Sequence, residues 1–225
     1  MKQKIQIRCK NNKKSQKVEI GSTLFDVFSS FDLKMTHGPV SARVNNKVEG
    51  MHYRVYNSKD VEFLDMNSAS GSRAYTRTLF FVLCKAVQDI YPNTDVVIDI
   101  PVSNGFYVDI RLGRPVVDED VNILRRRMQE IIDSKMPIRR FTVPTEEAIA
   151  LFQEKGDVEK VKLLRTSGSI YTTYYKIGEY VDYYYGTLLT NTSQLYLFGL
   201  EKYYDGMLLR IPSVSNPDEL GEMTR

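Results

Sequence analysis

The chain has 225 residues, of which 42% are hydrophobic and 26% are charged, an ordinary globular composition with enough apolar material for a sizeable core. Its formal net charge of +3 is too small to indicate nucleic-acid binding by itself. It contains no run of about 18 apolar residues, so we expect no contact with a membrane, and the two cysteines, Cys9 and Cys84, are far apart, which suits a reducing cytoplasm.

Residues 1–66 are predicted to form a small α+β unit. The segments KIQIRC and QKVEI alternate as strands around an NNKK turn, and Ser22 or Thr23 can cap a short helix after them. PVSARVNNKVEG predicts a third strand with an Asn-Asn turn, and DVEFLD a short closing strand. This order of elements is a β-grasp pattern. The small and polar stretch at 67–72 is predicted to be a linker.

The first 17 residues are strongly basic. Seven cations precede the first acidic residue, Glu19, and they are Lys2, Lys4, Arg8, Lys10, Lys13, Lys14 and Lys17. Such a surface could bind phosphate groups. Lysines also protect the open edge of a sheet from pairing with another chain, and we favour this second interpretation.

Residues 73–211 are predicted to form a larger unit. It begins with a helix over 73–91 that Pro92 ends, and the strand pair DVVIDIPV and GFYVDIRL follows, joined through residues 103–105. Asp118 is expected to cap the next helix and Thr145 the one after the strand PIRRFTV. A short charged helix is expected at 157–165, followed by a tyrosine-rich region of strands. The tail, 212–225, is predicted to be a frayed end or a linker to another domain.

Several kinds of catalytic chemistry have no counterpart in the sequence. The two histidines, His37 and His52, and the two cysteines do not have metal-ligand spacing, so we expect no metal site. Neither a P-loop nor a dinucleotide-binding glycine pattern is present. The tyrosines concentrated between 171 and 185 suit half-buried strands, although they could also stack on bases.

The order of several segments resembles the N-terminal region of threonyl-tRNA synthetases. VNNKVEG is similar to the turn of their TGS domain, which is a ubiquitin-like β-grasp. KAVQDIYP, NGFYVDI, DEDVNILRRRMQEII and EEAIALF resemble, in order, the editing domain shared by threonyl- and alanyl-tRNA synthetases. The resemblance implies an α+β fold, in which a TGS-like domain precedes a larger editing-like domain with an antiparallel sheet packed against helices.

The same resemblance locates a candidate site. In that family an H-x-x-x-H pattern on the first helix and a later C-x-x-x-H pattern form the editing site. By counting back from Tyr91–Pro92, we place the two helix positions on Arg77 and Phe81. The cysteine and the second histidine fall on Tyr184 and Leu188.

Two framing residues of the pattern, Asp182 and Gly186, are retained. We therefore expect a degenerate pocket without catalytic or metal-binding residues, since Phe and Leu cannot move a proton and Tyr is a poor base at neutral pH. Two alternatives stay open: a cleft that binds a ligand, or a pocket filled by Phe81 and Leu188. The candidate pocket residues are Arg77, Phe81, Asp182, Tyr184, Gly186 and Leu188.

A TGS domain joined to a degenerate editing-like domain also resembles the N-terminal half of bacterial uridine kinase-type nucleoside kinases. This resemblance implies that an attached kinase domain, using ATP and Mg, follows Arg225. Our main hypothesis is a non-catalytic region that binds a nucleotide or nucleoside and regulates that kinase. The alternative is a tRNA-binding region without deacylase activity, whose contacts would be the basic residues 2–17 and Arg125–Arg127.

Overall fold

The computed structural model describes residues 3–35, 37–103 and 105–212, apart from the side chain of Asp99. Lys2, Asn104 and the expected tail from residue 213 onward lie outside these residues. The described chain is a mixed α+β structure, as the sequence predicts. It contains three sheets, two of them in the larger unit, for which the resemblance implies one. None of its described helices is long and apolar enough to cross a membrane.

The first unit is a five-stranded sheet with one short helix. Its strands lie in the order β2-β1-β5-β3-β4, antiparallel except for the central parallel pair of β1 and β5, which is the topology expected for a β-grasp. Thr23 caps the helix through a reciprocal hydrogen-bond pair with Asp26. The elements are β1 (Lys4–Cys9), β2 (Ser15–Glu19), α1 (Leu24–Ser29), β3 (Ser41–Val44), β4 (Lys47–Gly50) and β5 (Lys59–Leu64).

The segment predicted as a third strand forms a hairpin of two strands, β3 and β4. Asn45 and Asn46 between them have φ values of 45° and 76°, a left-handed conformation that asparagine tolerates better than most residues. The core of this unit includes Ile7, Leu24 and Phe63, with Phe28 packed edge-on against Phe63 at 5.1 Å between ring centroids.

The second unit contains a four-stranded and a three-stranded antiparallel sheet around two long helices. The sheets have the strand orders β11-β12-β7-β6 and β10-β9-β8. The elements are α2 (Ala69–Ile90), β6 (Val96–Val102), β7 (Gly105–Ile110), α3 (Asp118–Asp133), β8 (Arg139–Pro144), α4 (Thr145–Glu154), α5 (Val158–Thr166), β9 (Tyr171–Ile177), β10 (Tyr180–Tyr183), β11 (Gly199–Tyr203) and β12 (Gly206–Arg210).

The start of α2 differs from the prediction. The helix begins at Ala69, so residues 69–72 of the expected linker are helical. Ser68 caps it by accepting a hydrogen bond from the Gly71 amide at 3.0 Å. Gly71 is required for close approach to the first unit, because a Cβ there would lie 1.9 Å from the Asp65 carbonyl oxygen. How the chain divides into domains stays a prediction.

Two of the expected helix caps are also wrong by one residue. Asp118 and Thr145 are the first residues of α3 and α4 and do not cap them. Asp120 instead reaches back to the Val117 amide at 2.9 Å. The Thr145 hydroxyl is used in a tertiary contact, 2.9 Å from that of Thr172.

The three-stranded sheet separates two hydrophobic cores. One face of β9 and β10 contributes Tyr175, Ile177 and Tyr180 to the large core around α2 and α3. The other face packs Tyr174 and Val181 against α4 and α5. Because strand residues alternate between faces, Tyr180 and Asp182 lie on the same face of β10.

Candidate functional site

One face of α2 supplies the first half of the candidate site. Arg77, Phe81 and Cys84 are separated by four and three residues, so they lie along the same side of the helix. Phe81 is completely buried, whereas Arg77 and Cys84 are partly exposed. Cys84 was not a candidate in the sequence, although its helical spacing from Phe81 could have revealed it.

The second half comes from β10 and the loop that follows it. Asp182 lies within β10, antiparallel to Tyr175 of β9, and it is 5% exposed. The loop then carries Tyr184, Gly186 and Leu188, of which Leu188 is completely buried. A hydrogen bond of 2.9 Å from the Leu189 amide to the Thr78 hydroxyl fixes the loop to α2.

Aromatic side chains occupy the space between these two halves. The ring of Phe81 packs against Tyr180 and Tyr184, with centroids 5.2 Å and 5.7 Å apart, distances typical of favourable aromatic pairs. We call Phe81, Cys84, Tyr180 and Tyr184 the aromatic interior. At Phe81 and Leu188 the structure matches the filled-pocket alternative, because both side chains are fully buried.

A buried charge borders the aromatic interior. The Asp182 carboxylate pairs with Lys160 of α5 at 2.9 Å, accepts a hydrogen bond from the Tyr180 hydroxyl at 2.8 Å and accepts another from the Tyr183 amide at 2.7 Å. A buried carboxylate is stable only when it is paired and hydrogen-bonded in this way. Asp182, retained as a framing residue, is therefore fully occupied by structural contacts.

Lys160 is the partner that sequence reasoning missed. Burial opposes its charge, but the carboxylates of Asp182 and Asp157 outweigh burial, so its pKa is raised and it stays a cation. Its three-residue spacing from Asp157, the residue that caps α5, was the only signal in the sequence. That spacing predicts a local pair and cannot reveal the contact with Asp182, which is 22 residues away in sequence.

The thiol and the two phenol groups of the aromatic interior keep their protons at neutral pH and are therefore unreactive. Burial, followed by the nearby Asp182 charge, raises the pKa of the Cys84 thiol to about 12, so it is not a thiolate nucleophile at neutral pH. Burial also raises the pKa values of Tyr180 and Tyr184 well above their ordinary range. The Tyr180 hydroxyl already donates its proton to Asp182, and at neutral pH none of the three groups can act as a general base.

Arg77 lies at the outer end of this arrangement. Its guanidinium packs over Gly186, where a Cβ would lie 2.6 Å from the Arg77 Cζ atom. Its Nη1 donates a long hydrogen bond of 3.5 Å to the Thr187 carbonyl. Gly186 has a φ of +118°, a conformation that side-chain-bearing residues rarely adopt, so glycine is needed here for both conformation and space.

The first unit contacts this loop directly. A Cβ on Gly50 at the end of β4 would lie 2.9 Å from the Thr187 Cγ2 atom. His52 donates a hydrogen bond from Nε2 to the Ile138 carbonyl at 2.5 Å and packs near the Tyr175 ring, with centroids 6.4 Å apart. Burial lowers the pKa of His52, and Arg140 lowers it further, so the imidazole is neutral at neutral pH.

The structure therefore brings the six predicted residues into one region, with Phe81, Asp182, Tyr184 and Leu188 in or beside the aromatic interior and Arg77 and Gly186 at its exposed edge. Among the described residues, no group of three or more His, Cys, Asp or Glu side chains could hold a metal ion. The fold and site define a two-unit α+β protein whose editing-like pocket carries aromatic and paired polar side chains.

Comparison with known proteins shows that this chain is similar to part of several threonine–tRNA ligases. The ligase of Acetivibrio thermocellus is 30% identical over 181 residues, which are 80% of this chain and 28% of the ligase. The ligase of Azobacteroides pseudotrichonymphae is 28% identical over 224 residues, covering 94% of this chain and 35% of the ligase. The ligase of Clostridium kluyveri is 28% identical over 192 residues, which are 84% of this chain and 30% of the ligase.

The chain thus spans 28–35% of the length of these curated relatives. No protein-family model matches it. The similarity agrees with the resemblance to threonyl-tRNA synthetases that the sequence segments indicate. It supports the tRNA-related hypothesis better than the nucleoside-kinase hypothesis, and the kinase domain with its ATP and Mg stays a prediction.

Proposed function

We propose that this chain is a non-catalytic tRNA-binding region. The observation that carries the proposal is the similarity over 80–94% of the chain to ligases whose substrate is tRNA, the threonine–tRNA ligases. The candidate site supplies the second half of the proposal, since no group of its aromatic interior can activate a water molecule.

The surface that best suits an RNA backbone is the β1–β2 hairpin. Lys4 and Arg8 of β1 and Lys17 of β2 are exposed. The antiparallel register pairs Lys17 with Gln6, and Lys4, Gln6 and Arg8 alternate to one side of β1, so the three cations share a sheet face. Lys10, Lys13 and Lys14 at the turn extend the charge. We call these six cations the basic hairpin.

Arg125–Arg127 on α3 suit the RNA backbone less well. Arg127 pairs with Asp89 at 2.9 Å and with Glu130 at 2.8 Å, and Arg125 donates to the Asn122 side chain at 2.7 Å. Two acidic side chains therefore neutralise Arg127, and Arg125 is held by a hydrogen bond. The basic hairpin is therefore the main phosphate-binding surface in this proposal. Because β2 is also an edge strand, the same lysines protect the sheet edge, so the two roles are compatible.

Binding of uncharged tRNA at several salt concentrations tests this function. Each phosphate contact adds roughly 0.7–0.9 to the slope of log affinity against log salt, so replacing Lys4, Arg8 and Lys17 together by Gln should lower the slope by about two to three. The matched control, Arg125→Gln with Arg126→Gln, removes two cations from α3 and should change the slope by less than about one. Wild-type binding that is insensitive to salt, or absent, contradicts the proposal.

A further inference from the structure

Arg77 packs over Gly186 at the exposed edge of the candidate site, and two further arginines, Arg73 and Arg140, lie on the elements that flank it. Arg73 and Arg77 are four residues apart on α2, so their side chains are neighbours on one helix face. Arg140 of β8 is directly opposite Tyr175 of β9, and the Tyr175 hydroxyl donates to the Gly186 carbonyl at 2.9 Å. Arg77 of α2 packs over the same glycine. The exposed Gly186 therefore lies between α2 and β9. We call Arg73, Arg77 and Arg140 the arginine rim.

The arginine rim has no compensating negative charge within the part of the chain that the structure describes. Within those described residues, no acidic side chain forms an ion pair with any of the three arginines. Other arginines of the same unit are paired, such as Arg114 with Asp120 at 2.7 Å. Burial lowers the pKa of Arg77, and the charge of Arg73 lowers it further, so this arrangement of like charges is unfavourable without an anion.

Hydroxyl groups lie on the same sheet face as Arg140. Thr142 and Thr173 are paired across β8 and β9, with their hydroxyl oxygens 2.9 Å apart. Because alternate strand residues share a face, Thr142 lies beside Arg140, and Thr173 lies beside Tyr175. The face therefore offers hydrogen-bond donors next to a guanidinium group.

Tyr185, the residue before Gly186, has its ring outside the hydrophobic core. Tyr185 is 90% exposed, in contrast to Tyr184 in the aromatic interior. An exposed aromatic ring can stack on a base regardless of its identity. The loop therefore presents an exposed aromatic ring one residue from Gly186, over which Arg77 packs, while Phe81 and Leu188 are fully buried in the interior.

We propose that the arginine rim binds the terminal phosphate of a nucleotide, outside the filled pocket, with Tyr185 stacking on the base. A phosphomonoester carries between one and two negative charges near neutral pH and three strong acceptor oxygens, and planar guanidinium groups match such oxygens in pairs. This site is separate from the basic hairpin and does not require tRNA binding there.

Calorimetric titration of the full chain with AMP, adenosine and inorganic phosphate tests the proposal. We expect AMP to bind at least about tenfold more tightly than adenosine, because adenosine lacks the charge-assisted hydrogen bonds to arginine. Arg77→Gln and Arg140→Gln should each weaken AMP binding by about tenfold or more. Arg126→Gln on α3 is the matched control and should leave the affinity unchanged.

Two other variants separate the parts of the site. Tyr185→Ala should weaken AMP about fivefold or more and leave phosphate binding unchanged, because stacking involves only the base. Equal affinities for AMP and adenosine, wild-type affinity in Arg77→Gln and Arg140→Gln, or no binding of AMP at millimolar concentration would each overturn the proposal.

A short RNA without a terminal phosphate identifies the source of the phosphate. If it binds the rim as tightly as AMP does, the rim recognises backbone phosphodiesters, and the proposed terminal-phosphate specificity is wrong. Loss of tRNA binding in the basic-hairpin variant with unchanged AMP binding would support two separate sites. Absence of tRNA binding by the wild type together with rim-dependent AMP binding would refute the proposed function and keep the nucleotide site.

Discussion

The aromatic interior and the arginine rim lie next to each other, but their charges are arranged in opposite ways. In the interior the Asp182 carboxylate is compensated by Lys160 and by two hydrogen bonds, and the surrounding rings are packed. At the rim the Arg77 guanidinium packs over Gly186, and none of the three arginines has an acidic partner among the described residues. The contrast indicates that the interior contributes stability, whereas the rim is available for binding.

The same contrast separates two physical roles within the candidate site. Filling the interior with Phe81 and Leu188 buries apolar surface, which stabilises the fold by about 25 cal/mol per Å². It also leaves less room for water beside these side chains. The exposed edge is not changed by this filling, so a binding surface can remain where the chemistry is absent.

Phe81→Ala should give the largest loss of stability. Removing a fully buried phenylalanine deletes its contacts with Tyr180 and Tyr184 and leaves a cavity, which costs about 3–5 kcal/mol. Phe25→Ala is the control, because Phe25 is 47% exposed and its truncation should cost less than about 1 kcal/mol. Urea denaturation measures both values. A similar small loss for the two variants would show that the interior is not tightly packed.

Asp182→Ala should be the next most damaging change. It leaves the Tyr180 hydroxyl without its acceptor and Lys160 with Asp157 alone, and removing one partner of a buried pair costs about 3 kcal/mol. Glu179→Ala is the matched surface control, since the Glu179 side chain paired with Lys176 is 94% exposed, and it should change the free energy of unfolding by less than about 0.5 kcal/mol. If both substitutions have equally small effects in urea denaturation, the Asp182 network is not a structural one.

Gly186→Ala links the two regions. Its φ of +118° makes a side chain costly, by about 1–2 kcal/mol, and the new methyl group should displace the Arg77 guanidinium and weaken AMP binding. Gly168→Ala is the control, because Gly168 also has a positive φ, of +65°, but has open space around its Cβ position. We expect a comparable loss of stability there without any effect on AMP. Calorimetry on both variants would refute the role of Gly186 if AMP binding is equal in the two.

The contact between the units should give the smallest effect, through His52. Its folded pKa is lowered by burial, below the usual value of about 6.5, so protonation favours the unfolded chain. The stabilisation is present above about pH 6.5 and is lost as the pH falls below it, by about 1 kcal/mol or less. Denaturation at pH 7 and at about pH 5 measures this effect. Between these two pH values the free energy of unfolding should fall less in His52→Gln than in the wild type. His37→Gln, which leaves the Ile138 contact in place, should behave as the wild type.

Most of the fold could be predicted because it depends on local patterns. Alternation in KIQIRC and the apolar stripe of Val121, Leu124 and Met128 predict β1 and α3. The start of α2 was wrong because residues 69–72 are small and polar in sequence, whereas their helical conformation depends on the Ser68 cap and on the approach of Gly71 to the first unit. Propensity does not report such tertiary contacts.

The candidate site was predicted only in part. The resemblance located Phe81 and Leu188, which are fully buried, and Tyr184, which is partly buried and packs against Phe81. It did not reveal Lys160 or Arg140, because α5 and β8 reach the site through the folding of separate elements. Tyr180 could have been found, since it lies two residues before Asp182 on the same strand face.

A combined binding and ester-hydrolysis measurement with an aminoacyl-tRNA tests the central claim, a tRNA-binding region without deacylase activity, most directly. We expect saturable binding that weakens between about 50 mM and 200 mM salt, together with ester loss at the same rate with and without protein. Faster ester loss in the presence of the chain, particularly if it disappears in His52→Gln, would contradict a non-catalytic region. Absence of binding at the lower salt concentration would contradict its relation to tRNA.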